Sequence, residues 1–457
     1  MRSRWLSPVV HGMVSGALAL LAAPGLTPLA AQEPSPVRVE SFTLPNGLRV
    51  HMVEDHTAQV VAVNVWYDVG SRNERAGRTG FAHLFEHMMF QGSANVQKAE
   101  HGQLIERAGG SLNGSTQPDR TNYYNEVPSN RLNLALWLEA DRMRSLAITA
   151  ENLKNQQEAV KEERRLRFDN QPYFAAFVDS LPTMFDPERC FAYSHSIIGS
   201  MDDLNAATVE DVKAFFDLYY APNNAILVIT GDFRPATARQ LVRDYFGGIP
   251  AGKPVPAVTC AAQAATGSEV VKRIPDRNAN LPAVLTAYRA VPPSHADYPA
   301  LELLSTILGA GESSRLNRAL VREAKVAVAA QALFNPFGPM RGAGVFGALV
   351  IANQGVDVDT LHRSLLREMR TAAEGITAEE LTKAKNSWRS GTIFGRQTAI
   401  ALSEAVHYAA MFLGSPEAIN ADAARYEAVT VADLRRVAAT YVRPENSLTL
   451  LIVPEGR

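Results

Sequence analysis

The sequence His-Leu-Phe-Glu-His at positions 83–87 holds three side chains whose types and spacing could do chemistry. A helix would place His83 and His87 on one face, one turn apart, with Glu86 beside them. A catalytic zinc takes three protein ligands, often imidazoles, and a water molecule whose pKa it lowers. A nearby carboxylate can take the proton from that water and pass it to a leaving amine. The pattern predicts two zinc ligands and a general base, Glu86.

The order His-x-x-Glu-His reverses the commoner His-Glu-x-x-His pattern. An amphipathic helix whose histidines are merely solvated or packed in the core is the alternative interpretation. Apolar residues flank the polar trio at Phe81, Leu84, Phe85, Met88 and Met89. These neighbours predict a dry pocket around the trio, which favours the metal site.

A third ligand must come from elsewhere in the chain, and the predicted helix over 151–168 offers several glutamates. Most of its charged residues form a solvated face. Glu163 differs because apolar residues such as Val160 are its helical neighbours, whereas Glu162 lies beside Glu158. We therefore predict that Glu163 completes a site for one Zn²⁺ per chain.

The chain contains an internal repeat with a period of 222 residues. Both copies show a Thr/Asp helix start, a tyrosine, a Pro-Asn turn and then an apolar strand. The matched positions are Thr208, Val209, Asp211, Tyr219, Pro222 and Asn224 in the first copy and Thr430, Val431, Asp433, Tyr441, Pro444 and Asn446 in the second. The repeat predicts two homologous domains over 38–250 and 268–457, joined by a Pro/Ala/Thr-rich linker at 251–267.

Each predicted domain mixes strands and helices. We expect strands over 48–53 and 60–67, and helices over 79–89, 132–146, 149–167 and 377–389. Strands lie early and late in each half, with helices between them. The predicted fold class is α+β: two α/β sandwich domains, each a mostly antiparallel sheet covered by helices, with the metal site only in the first.

The N-terminus resembles a secretory signal peptide. Arg2 and Arg4 precede an apolar stretch at 13–23, and Ala30-Ala31 offers a cleavage site. We expect residues 1–31 to be removed and the mature chain to be exported, with the periplasm as the favoured destination and secretion as the alternative. An uncleaved anchor or a misassigned start codon is the alternative. No later stretch is apolar enough to cross a membrane.

Charge and cysteine content narrow the function classes. The formal net charge of −2 argues against a nucleic-acid-binding surface, which usually has a basic excess. Cys190 and Cys260 are the only cysteines. An oxidising compartment would permit a bridge between them, and two free thiols are an equal alternative.

Three motifs at 70–74, 79–92 and 109–116 together resemble the pitrilysin/insulysin family of inverted-motif zinc metallopeptidases. The similar branch is the half-length enzymes related to mitochondrial processing peptidase and its bacterial relatives. The likeness extends over nearly the whole mature chain, to segments 198–199, 219–224, 231–232 and 313–316.

The resemblance implies roles for individual residues. It makes His83, His87 and Glu163 the zinc ligands and Glu86 the general base. It places Asn113 and Gly114 on a strand that pairs with an extended peptide substrate. We also expect Phe85, which lies between the two histidines, to bind substrate.

Two positions depart from the family pattern. The family has an acid seven residues before the third ligand, where this chain has Gln156, so we expect the hydrogen bonds that tune the zinc ligands to differ. Family members that complete the site carry an arginine, matched by Arg322, and a tyrosine seven residues later, where this chain has Ala329. Alanine cannot hold a substrate carbonyl, and losing one such donor costs about 10²–10³ in rate.

These departures predict a heterodimer. A homologous partner without zinc would supply the Arg/Tyr pair, and a homodimer is less expected. A non-catalytic scaffold subunit of the same fold is the alternative function, and an unrelated metal-binding module is a third.

Overall fold

The computed structural model describes residues 36–260 and 268–455. The predicted signal peptide, 1–31, lies outside the described residues, as does the part of the predicted linker at 261–267.

The first sheet has six strands in the order β1-β2-β6-β3-β5-β4. The strands are β1 Glu40–Thr43, β2 Arg49–Glu54, β3 Val60–Tyr67, β4 Ser111–Thr116, β5 Thr121–Pro128 and β6 Ala225–Gly231. All neighbours pair antiparallel except β2 and β6, which run parallel. β4 is an edge strand that pairs only with β5.

The second sheet has five strands in the order β7-β11-β8-β10-β9. The strands are β7 Val270–Asp276, β8 Ala283–Ala290, β9 Ala327–Phe334, β10 Gly344–Ala352 and β11 Ser447–Pro454. Here again one pair of neighbouring strands, β7 and β11, runs parallel, and the other pairs run antiparallel. When β1 is left out, the strand order of the first sheet is the same as that of the second.

Fifteen helices lie among the described residues and cover these sheets. They are α1 Phe81–Met88, α2 Glu100–Arg107, α3 Leu132–Ser145, α4 Ala150–Arg164, α5 Phe174–Ser180, α6 Pro187–Cys190, α7 Met201–Asn205, α8 Val209–Tyr219, α9 Pro235–Phe246, α10 Tyr298–Gly309, α11 Val358–Arg370, α12 Ala378–Phe394, α13 Ala399–Phe412, α14 Ala418–Glu427 and α15 Val431–Tyr441. This arrangement confirms the predicted fold class. The exact domain boundaries stay a prediction.

The repeat has a structural basis at the junction between its helix and its strand. Thr208 caps α8 and Thr430 caps α15, each in a reciprocal pair with the aspartate three residues later. The side-chain amide of Asn224 then donates to the carbonyl of Tyr219 at 2.9 Å, and Asn446 donates to Tyr441 at the same distance. The repeated residues thus form the same helix cap and the same turn in both halves.

Each half of the chain also covers the other half's sheet. Helix α13, from the second half, packs on β3 and β6 through Trp66, Ile226 and Val228. The odd-numbered residues of β3, such as Val63, face the opposite core of the first half. In turn, Leu181 and neighbouring residues from the first half pack against β8 and β11.

A disulfide joins Cys190, at the end of α6, to Cys260, with their Cα atoms 4.3 Å apart. Cys190 is fully buried. The structure thus resolves the two alternatives left by the sequence in favour of the bridge.

Candidate metal centre and peptide-binding edge

Helix α1 turns three polar side chains away from the core. Its apolar residues, including Leu84 and Met88, are buried against the first sheet. The helix begins at Phe81, two residues later than predicted, because Gly80 adopts a φ of +82° that favours glycine. Glu74 accepts the backbone N–H groups of Gly80 at 2.8 Å and Ala82 at 2.7 Å, which fixes this helix end.

Helix α4 brings Glu163 to the two histidines. Glu163 Oε2 lies 3.2 Å from His87 Nε2 and 3.7 Å from His83 Nε2. Leu153 and Val160 bury the core side of α4, so the glutamate three positions after Val160 faces α1. The helix ends at Arg164, and a π-helical turn, Arg165–Asp169, takes the place of its predicted last residues.

The three side chains fit a zinc ion. One ligand atom from each of His83, His87 and Glu163 can be chosen so that all lie within 4.8 Å of one another. Two imidazoles and a carboxylate are a usual donor set for a catalytic zinc, with a position left open. In the described part of the chain, this is the one group of three or more His, Cys, Asp or Glu residues placed to hold a metal.

The electrostatics of the cluster suit a cation. Burial and the neighbouring His87 lower the pKa of His83 to about 4, so its imidazole is neutral, as a ligand must be. Burial also acts to lower the pKa of His87, but its hydrogen bond with Glu163 and the nearby carboxylates raise it overall. The same hydrogen bond lowers the pKa of Glu163. A metal ion bound here would replace a proton shared by this pair.

Glu86 is held by the edge strand. The hydroxyl of Thr116, the last residue of β4, donates to Glu86 Oε2 at 2.6 Å. Burial raises the pKa of Glu86, and the Thr116 hydrogen bond partly opposes the shift. A raised pKa brings a carboxyl closer to the range in which it can exchange protons near neutral pH.

Asn113 and Gly114 lie on β4, whose outer side has no partner strand among the described residues. A Cβ atom built on Gly114 would come 3.3 Å from Glu86 Cγ, so this strand passes directly over the glutamate. An exposed strand edge offers backbone N–H and C=O groups to an extended peptide.

A cavity of about 690 Å³ joins these features. His83, Glu86, His87, Glu163, Gln156, Asn113 and Gly114 all line it. The rest of the wall is largely apolar and comes from both halves, with Phe174 and Phe177 from the first and Phe337 from the second.

Comparisons with known proteins agree with this geometry. Residues 49–177 match the family described as Insulinase (Peptidase family M16), and residues 206–387 match the family described as Peptidase M16 inactive domain. The zinc protease PqqE of Helicobacter pylori is 30% identical over 427 residues, covering 91% of this chain and 93% of that protein. The chain belongs to peptidase family M16.

Two further similarities support the family. The probable mitochondrial-processing peptidase subunit beta of Arabidopsis thaliana is 24% identical over 410 residues, covering 88% of this chain and 75% of that protein. A crystal structure of a protease from Helicobacter pylori superposes with a TM-score of 0.84 at 28% identity, covering 92% of this chain and 100% of that one. The recognised family is thus confirmed, with its half-length branch.

The candidate site of this M16 chain falls within one of the two family matches. His83, Glu86, His87 and Glu163 all lie in residues 49–177, outside the segment described as inactive. Across residues 36–260 and 268–455, no helix has both the length and the apolar character needed to span a bilayer.

Gln156 lies behind the metal ligands. Its Oε1 atom is 3.3 Å from His87 Nδ1, where the ring N–H can donate to the amide oxygen. The Gln156 side chain is almost fully buried, and its own amide nitrogen donates to Asn155. It therefore occupies the place from which an acid would otherwise orient His87.

Phe85 does not line the cavity, which corrects the prediction that it binds substrate. It is only 1% exposed, and its ring centroid lies 4.1 Å from that of Tyr220. Phe215 and Phe216 pack around it as well. Because Phe85 points from α1 toward the core while its neighbour Glu86 points away, it serves to seat the helix.

Arg322 and Ala329 lie apart from the metal cluster's cavity wall. Arg322 is in a π-helical turn, Asn317–Glu323, and pairs with Glu312 at 2.7 Å near the surface. Ala329 is exposed on β9, the edge strand of the second sheet. Neither is among the residues that line the cavity.

Sequence reasoning missed Thr116 and Arg120. Arg120 is buried beneath β4, where it donates to the Ser115 carbonyl at 2.7 Å and its positive charge acts on Glu86. The alternation of a strand could have identified Thr116, since Gly114 and Thr116 point to the same face. No sequence signal marks Arg120, because its contacts depend on the hairpin between β4 and β5.

Proposed function

We propose that this chain is a zinc-dependent endopeptidase that cuts peptides or unfolded segments. The observation that carries the proposal is the joint placement of a two-histidine, one-glutamate cluster, the adjacent Glu86 and a free strand edge around one cavity.

His83, His87 and Glu163 would hold the zinc ion. Zinc supplies a Lewis acid that polarises a carbonyl and lowers the pKa of water. The side chains already lie within reach of a common ligand position, so binding needs little rearrangement. Gln156 orients the His87 ring from behind.

Glu86 would act as the general base. It would take a proton from the water that attacks the peptide carbonyl and later pass that proton to the leaving amine. Thr116 fixes the orientation of its carboxylate. Many of the other residues that line the cavity are apolar, and an environment of low polarity strengthens electrostatic interactions.

The substrate would bind as an added strand beside β4. Main-chain hydrogen bonds would hold any extended peptide, with the Asn113 side chain exposed next to it. A folded protein cannot present such a strand without local unfolding. Peptides and unfolded segments are therefore the substrates that this edge suits.

We propose further that the active form is a heterodimer with a homologous subunit that lacks zinc. The support is that Arg322 pairs with Glu312 at the surface, and that Ala329 stands where a tyrosine would hold the substrate carbonyl. A partner with an Arg/Tyr pair would complete the site. A homodimer would have to work without the tyrosine.

Export to the periplasm is also proposed. The N-terminal pattern at 1–31 supports it, and the Cys190–Cys260 disulfide suits an oxidising compartment. N-terminal sequencing of the protein isolated from the cell envelope should give Gln32 as the first residue. A first residue of Met1 would contradict cleavage.

The test of the proposed activity is hydrolysis of a quenched-fluorescent peptide library by the mature chain, purified with its zinc content measured. Glu86→Gln should keep zinc and lose at least about 10²-fold in rate. Glu106→Gln, an exposed glutamate on α2, is the matched control and should behave as wild type.

Each outcome decides between the candidate functions. Bound zinc with strong activity that Glu86→Gln abolishes supports an enzyme that needs no partner. Bound zinc with negligible activity supports the heterodimer, and affinity capture from the envelope should then recover a homologous subunit that restores hydrolysis. Absence of zinc at saturating metal favours the non-catalytic scaffold.

A further inference from the structure

A loop of the second half contacts the hairpin that follows the peptide-binding edge. The loop, residues 335–343, joins β9 to β10, and the hairpin turn, residues 117–120, joins β4 to β5. Gly338 lies against the Gln117 side chain, so that a Cβ atom at Gly338 would come 2.6 Å from Gln117 Cδ. The φ of +96° at Gly338 lies in the left-handed region that favours glycine.

Arg341 is the charged link between the two segments. Its guanidinium forms a bidentate pair with Asp68 at the end of β3, with one N–O distance of 3.1 Å. Its Nε also lies 3.3 Å from Asp119 in the hairpin turn. A planar guanidinium can bridge two carboxylates in a fixed geometry, which a flexible ammonium cannot match.

Asp119 is the residue of the hairpin turn to which most of these contacts are made. Its carboxylate is fully buried and is also held by Arg72 at 3.0 Å and by the hydroxyl of Tyr193 at 3.0 Å. That hydroxyl in turn accepts the backbone N–H of Gly342 at 3.1 Å. The loop therefore contacts Asp119 of the hairpin directly through Arg341, and indirectly through Gly342 and Tyr193.

The hairpin is directly connected to the residues that face the substrate. Asp119 is three residues beyond Thr116, which holds Glu86, and five beyond Gly114. Pro336, Phe337 and Met340 of the same loop line the cavity. A displacement of the loop would therefore move the edge strand and the cavity wall together.

From these contacts we propose that Arg341 is a positioning residue for peptide binding. Through Asp68 and Asp119 it sets the position of β4 relative to the cavity, so the second half controls how the first half holds an extended peptide. The inference rests on the proposed peptidase function. Its main effect falls on KM: Arg341 touches neither the metal ligands nor Glu86, and it acts on kcat only indirectly, through the strand β4 that carries Thr116.

The experiment compares Arg341→Ala, Arg341→Lys and wild type in the full mature chain, with the partner subunit present if hydrolysis needs one. Arg341→Ala should raise KM about tenfold with kcat within about twofold. Zinc content should not change. Arg341→Lys should fall between, since a lysine ammonium keeps the positive charge but cannot make the bidentate pair with Asp68.

Arg315→Ala is the matched control. Arg315 makes a comparable bidentate pair with Glu380, at 2.8 and 2.7 Å, but contacts neither the hairpin nor the cavity wall. It should lower stability without raising KM. A rise in KM equal to that of Arg341→Ala would show a general effect of destabilisation and would overturn the proposal.

Two readouts do not depend on catalysis. Deuterium uptake by residues 111–128 should be faster in Arg341→Ala, and a fluorescent peptide should bind more weakly to Arg341→Ala in a Glu86→Gln background. Unchanged uptake and unchanged peptide binding would overturn the positioning role even if the chain proves inactive. Should Arg341→Ala fail to fold, Arg341→Lys and Asp68→Asn decide by the same measurements.

Discussion

The hydroxyl of Thr116 lies 2.6 Å from Glu86 Oε2, and this single hydrogen bond joins the edge strand β4 to the helix α1 that carries the metal ligands. The strand proposed to bind the substrate thus also orients the proposed base. Peptide binding and proton transfer share one structural element.

Removing this hydrogen bond should slow the chemical step. Thr116→Val keeps the shape of the side chain but leaves Glu86 without its donor, so kcat should fall about tenfold. Zinc content should stay the same because Thr116 touches no ligand. Steady-state kinetics with a reporter peptide measure the effect, and Thr116→Ser should restore most of the rate. Equal rates for Thr116→Val and wild type would show that the bond has no catalytic role.

Zinc affinity should depend on Glu163 and not on its neighbour. Glu163→Gln removes the one anionic ligand and should weaken zinc binding at least about 100-fold, measured by competition with a chelator. Glu162→Gln is the matched control, because Glu162 lies on the exposed side of α4 and pairs only with Arg165 at 3.0 Å. A similar loss in both variants would point to helix stability as the cause.

Substitutions of Gln156 should lower or raise the zinc affinity, depending on the side chain that replaces the amide. Gln156→Leu removes the partner of His87 Nδ1, and zinc affinity should fall about 10–100-fold. Gln156→Glu places a carboxylate there, makes His87 a more basic ligand and should tighten binding. The same chelator competition reports both changes. Weaker binding in Gln156→Glu would contradict this role.

The Arg315–Glu380 pair should contribute stability that acid removes. The hydrogen bonds from Arg315 lower the pKa of Glu380 from its ordinary value of 4.5 to about 2. A carboxyl whose pKa is lower in the folded state stabilises that state fully above its unfolded pKa, and the contribution is lost as pH falls from about 4.5 to about 2.

Glu380→Gln should therefore lower the free energy of unfolding by about 1 kcal/mol at pH 7, since the pair is partly exposed to solvent. The difference from wild type should shrink through the acidic window. Urea unfolding at several pH values measures it, with Glu379→Gln, an exposed neighbour, as the control. A difference that stays constant down to pH 2 would exclude this linkage.

Much of the fold and of the metal site could be predicted from local patterns in the sequence. The strand Val60–Tyr67 appears with its predicted bounds, because six of its eight residues are β-branched or aromatic. Glu163 could be distinguished from Glu162 because helical periodicity alone decides which of two adjacent residues faces α1. The 222-residue repeat likewise reflects caps and turns that are local.

Contacts between distant segments were not predictable in the same way. Nothing in the sequence of α13 indicates that it covers β3, more than 330 residues earlier in the chain. The Arg341–Asp68 pair and the Cys190–Cys260 bridge depend on the same long-range packing. Phe85 was misassigned although the period of a helix places a residue that lies two positions from both His83 and His87 on the opposite face of α1.

The strand order of each sheet has a consequence for the synthesis of the chain. β6 and β11 are the last strands of their sheets to be made, yet each is inserted between two earlier strands. The ribosome must therefore release the residues up to Gly231 before the first sheet can be completed. It must release the residues up to Pro454 before the second sheet can be completed. Until then, β2 and β3, like β7 and β8, have unpaired edges facing each other. During synthesis the first sheet therefore stays incomplete until β6 has been made, and the second sheet stays incomplete until β11 has been made.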